Sequence, residues 1–417
     1  MEISRERIFI HLCGIFGWTC TPAAFQVVSR GMQWELKHLL KLRCKMYVDD
    51  IVGVCMANDL STEIQCAKMV CVDLLGPNAI AEDETESGTR LDILGYVLDL
   101  DLRLVSISRE NFMNAVYGFF TTELDKKTTL VTAQKLASWG SRYSKICWAM
   151  RPSCGALHRA TAGRKNPHAK FLLPEEARRA IRGWRAMLYL VSFDEQQYSQ
   201  RMGSFLPGQL QYIIEFDASL SGAGILWYER LVDGSEFAIG GSAVDLRGFG
   251  FDSSFQNTAE YIGCTLGLIG LALLRIRDVD VEVRGNSVAA LTWAETERPR
   301  GKLVTNASIV FTLLVISFGL DVKKGVHISG EDNWRCDRLS RLTESNMGIG
   351  ASLAGMGLEG TAIIDLQESS QVQKLLACCD PGTCLDGDDA FLEYWGGFRD
   401  ALKEIARGVT NNAALLR

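Results

Sequence analysis

Between Tyr212 and Arg341 the chain runs through apolar segments of strand and helix length in an order that few architectures accept. Tyr212–Ile213–Ile214–Glu215–Phe216–Asp217 is followed by a Ser/Gly turn and then by Gly224–Ile225–Leu226–Trp227–Tyr228. Two apolar runs joined by small residues make a hairpin. A third strand is expected around Glu236–Ser242, then a long apolar helix over about Gln256–Ile276 and a strand at Val279–Val283. A helix from Ser287, another near Ala307–Phe318, a strand at Val322–Ile328 and a helix from Asn333 complete the series. The order β-β-β-α-β-α-α-β-α predicts a mixed sheet with helices packed on it.

The other residues must fold around that sheet or beside it. With 417 residues, 47% hydrophobic and 23% charged, the chain is neither disordered, collagenous nor a coiled coil. At roughly 100–200 residues per domain, two or three domains are expected. The 13 cysteines are scattered without a CxxC pair, and Cys378, Cys379 and Cys384 lack a fourth zinc ligand. Reduced thiols in an intracellular compartment, cytoplasmic or nuclear, are expected. No stretch reaches the roughly 18 apolar residues of a spanning helix. Ile309–Leu320 is short, and Gly263, Gly267 and Gly270 punctuate Ile262–Leu274, so no membrane partner is expected.

Composition shifts divide the chain at 1–106, 107–205, 206–342 and 343–417. The first segment holds short apolar runs and ends in LDILGYVLDLDLRLVSIS, which reads as a hairpin turning near Asp99–Leu100–Asp101. In the second, Lys135–Arg185 holds twelve Lys/Arg against Glu175 and Glu176, a local +10 inside a chain whose net charge is −6. Trp139, Tyr143, Trp148, Phe171 and Trp184 are interleaved with them. Cations for phosphates and aromatics for stacking form a nucleic-acid footprint, with Lys135, Arg142, Lys145, Arg151, Arg159, Arg164 and Lys165 as the contacts. A solvated helical face whose aromatics belong to the core would give the same pattern. From Arg341 onward eleven Asp/Glu stand against six Lys/Arg, and 343–417 reads as an acidic linker with a helix near Leu392–Ile405.

Lys45–Met46–Tyr47–Val48–Asp49–Asp50–Ile51–Val52–Gly53–Val54 places adjacent carboxylates between two apolar runs, a hairpin with acids at its tip suited to a hard divalent cation. Upstream stands Phe16–Gly17–Trp18–Thr19–Cys20–Thr21–Pro22–Ala23–Ala24–Phe25–Gln26, and downstream Ile93–Leu94–Gly95–Tyr96. This ordered trio resembles the palm of a reverse transcriptase. The resemblance implies nucleotide and template contacts for Phe16, Gly17, Gln26 and Tyr47, metal ligation by Asp49 and Asp50, and a primer grip at Leu94, Gly95 and Tyr96. Farther on, Asp217, Glu260 and Asp337 are carboxylates from separate elements, and His327–Ile328–Ser329–Gly330–Glu331–Asp332–Asn333–Trp334–Arg335–Cys336–Asp337–Arg338–Leu339–Ser340–Arg341 is similar to the end of a retroelement ribonuclease H domain. That likeness implies a two-metal phosphodiester hydrolase with Asp217, Glu260 and Asp337 as ligands of Mg²⁺ or Mn²⁺, and His327 assisting product release. The expected fold is α+β or mixed α/β: a partial polymerase palm, a helical thumb or connection, and a ribonuclease H-like five-stranded sheet with flanking helices. The whole resembles part of the pol polyprotein of a eukaryotic retrotransposon, gypsy-type or DIRS-like. Its implied partners are RNA–DNA hybrid, RNA, DNA and other pol segments.

Two departures alter the expectation. Polymerases of this family carry a third carboxylate well upstream of the FG segment, yet only fifteen residues precede Phe16 and none is Asp. The chain reads as N-terminally truncated, and alone it is not expected to polymerise DNA. Second, in Arg284–Gly285–Asn286–Ser287 the family places a metal-binding Asp where this sequence has Asn286. The amide loses a full charge and offers an NH₂ to cations, so hydrolysis is expected to be impaired. A non-catalytic nucleic-acid-binding remnant, or the product of a decayed gene, is the alternative.

Overall fold

The computed structural model describes residues 2–3, 8–9, 21–47, 50–77, 80, 85–146, 150–191, 199–205, 208, 210–250, 252–296, 299, 303–345, 347–380 and 388–407. The chain packs as two units, Met1–Ser87 and Gly88–Arg417. In the first, β1 (Glu2–Ile3) pairs with β2 (Ile8–Phe9). Helix α1 (Thr21–His38) buries Met32 and Leu36. Strands β3 (Cys44–Tyr47) and β4 (Asp50–Gly53) form the expected antiparallel hairpin, with Tyr47 opposite Asp50. Gln33 Oε1 accepts a hydrogen bond from Met46 N at 3.2 Å and ties α1 to it. Helix α2 (Leu60–Leu75) comes next.

The second unit opens with β5 (Arg90–Ile93), β6 (Tyr96–Asp99) and β7 (Leu104–Ile107), an antiparallel meander rather than a single hairpin. Its first turn is Leu94–Gly95, both in the left-handed region at φ 56° and 81°, the conformation that a two-residue hairpin loop requires. A leucine there carries no turn signal, which is why the sequence points only to the second turn. At that second turn Asp99 Oδ1 accepts from Leu102 N at 2.8 Å.

Then come α3 (Arg109–Thr121), β8 (Thr128–Thr129), α4 (Leu130–Tyr143), α5 (Arg151–Thr161), β9 (Lys170–Phe171) and α6 (Glu175–Val191). Thr129 caps α4 by accepting from Thr132 N at 3.2 Å. Strand β8 pairs with β9, and β10 (Ser199–Arg201) returns to pair with β7.

The expected mixed sheet is built from β11 (Leu210–Ala218), β12 (Gly222–Arg230), β13 (Glu236–Asp245), α7 (Gln256–Leu273), β14 (Val279–Gly285), α8 (Val288–Thr296), α9 (Thr305–Phe318), β15 (Leu320–His327) and α10 (Trp334–Ser340). In space the strands lie β15-β14-β11-β12-β13. The first three in chain order are antiparallel neighbours, whereas β14 lies parallel to β11 and β15 parallel to β14. Side chains alternate across a strand, so Ile214, Phe216 and Trp227 pack toward α7 while Ile213, Leu226 and Tyr228 pack with Cys336 and Leu339 of α10. Close approach needs glycine on both faces. A Cβ on Gly270 would sit 2.6 Å from Trp227 Cε2, and one on Gly224 would sit 2.6 Å from Leu339 Cβ.

The acidic segment is not a linker. Helix α11 (Ile349–Ala354) precedes β16 (Ala362–Ile363), which adds a sixth strand parallel to β13, and α12 (Ser370–Ala377) and α13 (Asp388–Arg407) complete the chain's described elements. Trp395, Phe398, Leu402 and Ile405 are buried in a core that begins at Ile107. Packing therefore shows no break at 106, 205 or 342, and β5–β7 belong to the same unit as the helices that succeed them. Short elements separated by Gly and Ser carry too little periodicity to be read from sequence. Among the described residues no helix is long and apolar enough to cross a membrane.

Candidate functional site

The carboxylates expected to converge meet at the ends of β11 and β14. Asp217 lies near the end of β11, and α7 runs past it so that Glu260 Oε2 accepts from Ala218 N at 3.2 Å. Gln256, one turn earlier, donates to Ala218 O at 2.7 Å and to Glu260 Oε1 at 3.3 Å. Helix α10 brings Ser340 Oγ to Asp217 Oδ2 at 3.0 Å, and Asn333 Nδ2 to Phe216 O at 3.0 Å and to Asp217 Oδ1 at 3.4 Å. Asp337 stands on that helix, and its charge reaches Asp217. Asn286 comes directly after β14 and donates from Nδ2 to Asp217 Oδ1 at 3.0 Å. His327 closes β15 opposite Gly285, beside that amide in register, and is exposed.

Both central acids are buried, Asp217 at 5% and Glu260 at 4% exposure. Burial first, and then the charge on Asp217, push the Glu260 carboxyl up to about 8. Burial likewise raises Asp217, with Asp337 adding to the effect and hydrogen bonds from Ser340 and Asn286 opposing it. Asp337 is half-exposed and holds Arg341, whose Nε and Nη2 both donate to its Oδ1 at 2.9 and 2.7 Å.

This donor set does not fit the expected pair of divalent ions. Hard cations need oxygen ligands with free lone pairs. Here Asn286 presents an NH₂ donor, which repels a cation, to Asp217 Oδ1, and Arg341 holds Oδ1 of Asp337. Among the described residues, no group of three or more His, Cys, Asp or Glu is arranged to hold a metal. Sequence reading missed Asn333 and Ser340, which donate to Asp217, and Gln256, which donates to Glu260. Each is a neutral residue whose role arises only from tertiary contact.

The other expected positions fall in both units. Phe16, Gly17 and Asp49 lie outside the described residues. Asp50 and Gln26 are exposed, Asp50 on the β3–β4 hairpin and Gln26 on α1. Leu94 and Gly95 form the β5–β6 turn, and Tyr96 donates its hydroxyl to Arg142 O at 2.9 Å. Arg142 also binds Asn111 Oδ1, and Asn111 in turn donates to Ser108 Oγ at 2.8 Å. Arg142 thus braces the turn rather than standing free for phosphate. Lys135, Lys145, Arg159, Arg164 and Lys165 are exposed, and Arg151 is half-buried with its Nε on Ser144 O at 3.2 Å. Arg159 pairs with Glu176, and Arg178 and Arg182 with Glu175.

Tyr143, Phe171 and Trp184 are buried in the core, so the stacking half of the expected footprint is corrected. Helical periodicity sets Tyr143 of α4 and Trp184 of α6 inward, and Phe171 is buried from the short strand β9. Trp148 lies outside the described residues. Cys378 and Cys379 are buried, and burial raises the Cys379 thiol well above the usual range.

No family model and no curated relative matches the sequence. The chain is similar to the foamy viral protease-reverse transcriptase in complex with double-stranded DNA, at 12% identity over 76% of this chain and 60% of that one, with a TM-score of 0.33. A second foamy viral structure, the protease-reverse transcriptase dRH with double-stranded DNA, gives 11% identity, coverage of 74% and 49%, and a TM-score of 0.32. RNase H1 from the halophilic archaeon Halobacterium salinarum gives 23% identity over 33% of this chain and 98% of that one, with a TM-score of 0.25. The chain spans 49% to 60% of those foamy viral chains.

Proposed function

We propose that this chain is the reverse transcriptase–ribonuclease H portion of a retroelement pol polyprotein, gypsy-type or DIRS-like, which grips RNA–DNA hybrid but cleaves its RNA strand poorly or not at all. The observation that carries the reading is the 3.0 Å hydrogen bond from Asn286 Nδ2 to Asp217 Oδ1. An amide donor lies where the ribonuclease H pattern needs a fourth acid, and it engages the carboxylate that such chemistry would need free. Phosphodiester hydrolysis by two ions rests on charge neutralisation and positioning, and the Asn286 amide brings a donor into this centre where negative charge would be needed.

Hybrid binding is supported by the exposed Lys135, Lys145, Arg159, Arg164 and Lys165 in the α4–α6 region. The β3–β4 hairpin and the Leu94–Gly95 turn support descent of the remaining segments from a polymerase palm. Catalysis of DNA synthesis by Asp49 and Asp50 is no part of the proposal.

The test is a filter-binding titration of the full chain with a labelled RNA–DNA hybrid at several salt concentrations, with product analysis by gel. Saturable binding that weakens steeply with salt, without RNA cleavage in Mg²⁺ or Mn²⁺, is expected. Rapid cleavage by the unaltered chain would overturn it.

A further inference from the structure

The two sides of α10 do different things. Its inner side carries Cys336, Leu339 and Ser340, all buried, and Ser340 together with Asn333 donates to Asp217. Trp334, Arg338 and Arg341 recur at four- and three-residue spacing, which sets them on one side of a helix. That side is the outer one: Trp334 is 42% exposed, and Arg341 is exposed as well. Tryptophan is highly buried on average, and this one follows directly on Asn333, the residue that lies against the carboxylate centre.

The ring is braced. The Arg335 guanidinium stands over it, 5.1 Å from its centroid, within the range of a cation–π contact. The charge of Arg335 also reaches the buried Glu215, so the cation is drawn to both. An indole backed in this way, with much of its area in water, is a preformed flat surface for a second ring.

Its neighbours narrow the occupant. Asp337, Arg338 and Arg341 surround the ring along α10, so a charged stripe stands where a protein partner would need an apolar patch to bury. Arg338 has no carboxylate partner among the described residues, and its Nη2 contacts the Met347 sulfur, a weak acceptor, at 3.7 Å. An exposed aromatic face with a guanidinium one turn along suits a nucleic-acid strand, its base on the ring and its phosphate near the cation. Bases inside a duplex already stack on one another, so the base that reaches a protein ring must be unpaired.

We propose that Trp334, flanked by Arg338, stacks an unpaired base of a single-stranded extension leaving a hybrid that lies across the carboxylate centre. The inference rests on the hybrid-binding reading and adds to it the part of the substrate that the rim of the centre engages.

The test compares the full chain, Trp334→Ala and Trp334→Phe in filter-binding titrations. The ligands are a blunt RNA–DNA hybrid and the same hybrid with a three-nucleotide extension on the RNA or the DNA strand, at its 5′ or its 3′ end. At least one extended hybrid should bind the unaltered chain about five- to a hundredfold more tightly than the blunt one. Trp334→Ala should abolish that advantage while blunt-hybrid affinity stays as it was, and Trp334→Phe should keep part of it. Blunt-hybrid binding with no advantage for any extension, or with an advantage that survives Trp334→Ala, would overturn this proposal and leave the hybrid-binding reading standing. No binding of any of the hybrids would overturn both.

Discussion

Glu260 is the residue whose ionisation most directly reports the centre. Its folded carboxyl titrates near 8 against an ordinary 4.5, chiefly because it is buried. Between those values the folded protein binds a proton that the unfolded chain has released. Stability therefore falls as pH rises through that window, and Asp217, raised in the same direction, adds to the slope. The melting temperature of the chain should decline from pH 5 to pH 8, and Glu260→Gln should flatten much of that decline. A wild-type curve that rises across this range would contradict the burial argument. Asn286 acts at the same scale: one amide nitrogen in place of a carboxylate oxygen reverses the role of the position from ligand to donor.

Elements place these residues only because glycines let them close. On α7, Gly270 faces Trp227, and Trp227 Nε1 donates to Gly267 O at 2.8 Å. Gly270→Ala should cost about 1–3 kcal/mol through overpacking, read as a shift in the urea midpoint without a change in slope. A midpoint left unmoved would show that α7 can retreat freely. The strand order, the long apolar helix and the placing of Asp217, Glu260 and Asp337 on separate elements are legible because strands and buried helices impose strong apolar periodicities. Less legible are the Leu94–Gly95 turn, where the residue type argues against the conformation, and the partners Asn333, Ser340 and Asn111, which look like ordinary polar residues. The basic stretch is half legible. Its charges are outside, but Tyr143 and Trp184, which the sequence pattern offers as stacking groups, are assigned by helix geometry to the core.

For the whole molecule, the segment after Arg341 joins the core that the sheet and the α3–α6 helices share. Arg399 Nη1 donates to the Tyr189 hydroxyl at 3.3 Å, linking α13 to α6, and β16 covers the edge of β13. Phe398→Ala should destabilise the chain by roughly 3–5 kcal/mol, measured by chemical denaturation. A loss below about 0.5 kcal/mol, the size of an ordinary surface change, would mean that α13 is dispensable. Charge outside the core has a different signature. Replacing exposed Lys135 and Lys165 with Gln should lower the salt-dependence exponent for hybrid binding by about 1–2 and leave the melting temperature in place. An unchanged exponent would move the nucleic-acid contact away from this region.

The central claim is that the Asn286 amide, donating to Asp217 among the acids of this centre, separates grip from cut. The most direct measurement is RNA cleavage of a labelled RNA–DNA hybrid by the full chain and by Asn286→Asp, side by side in Mg²⁺ and in Mn²⁺, with hybrid affinity determined for both. Equal affinity, no cleavage by the unaltered chain and cleavage gained by Asn286→Asp is the expected result. Cleavage by the unaltered chain at the rate of the variant would contradict the claim.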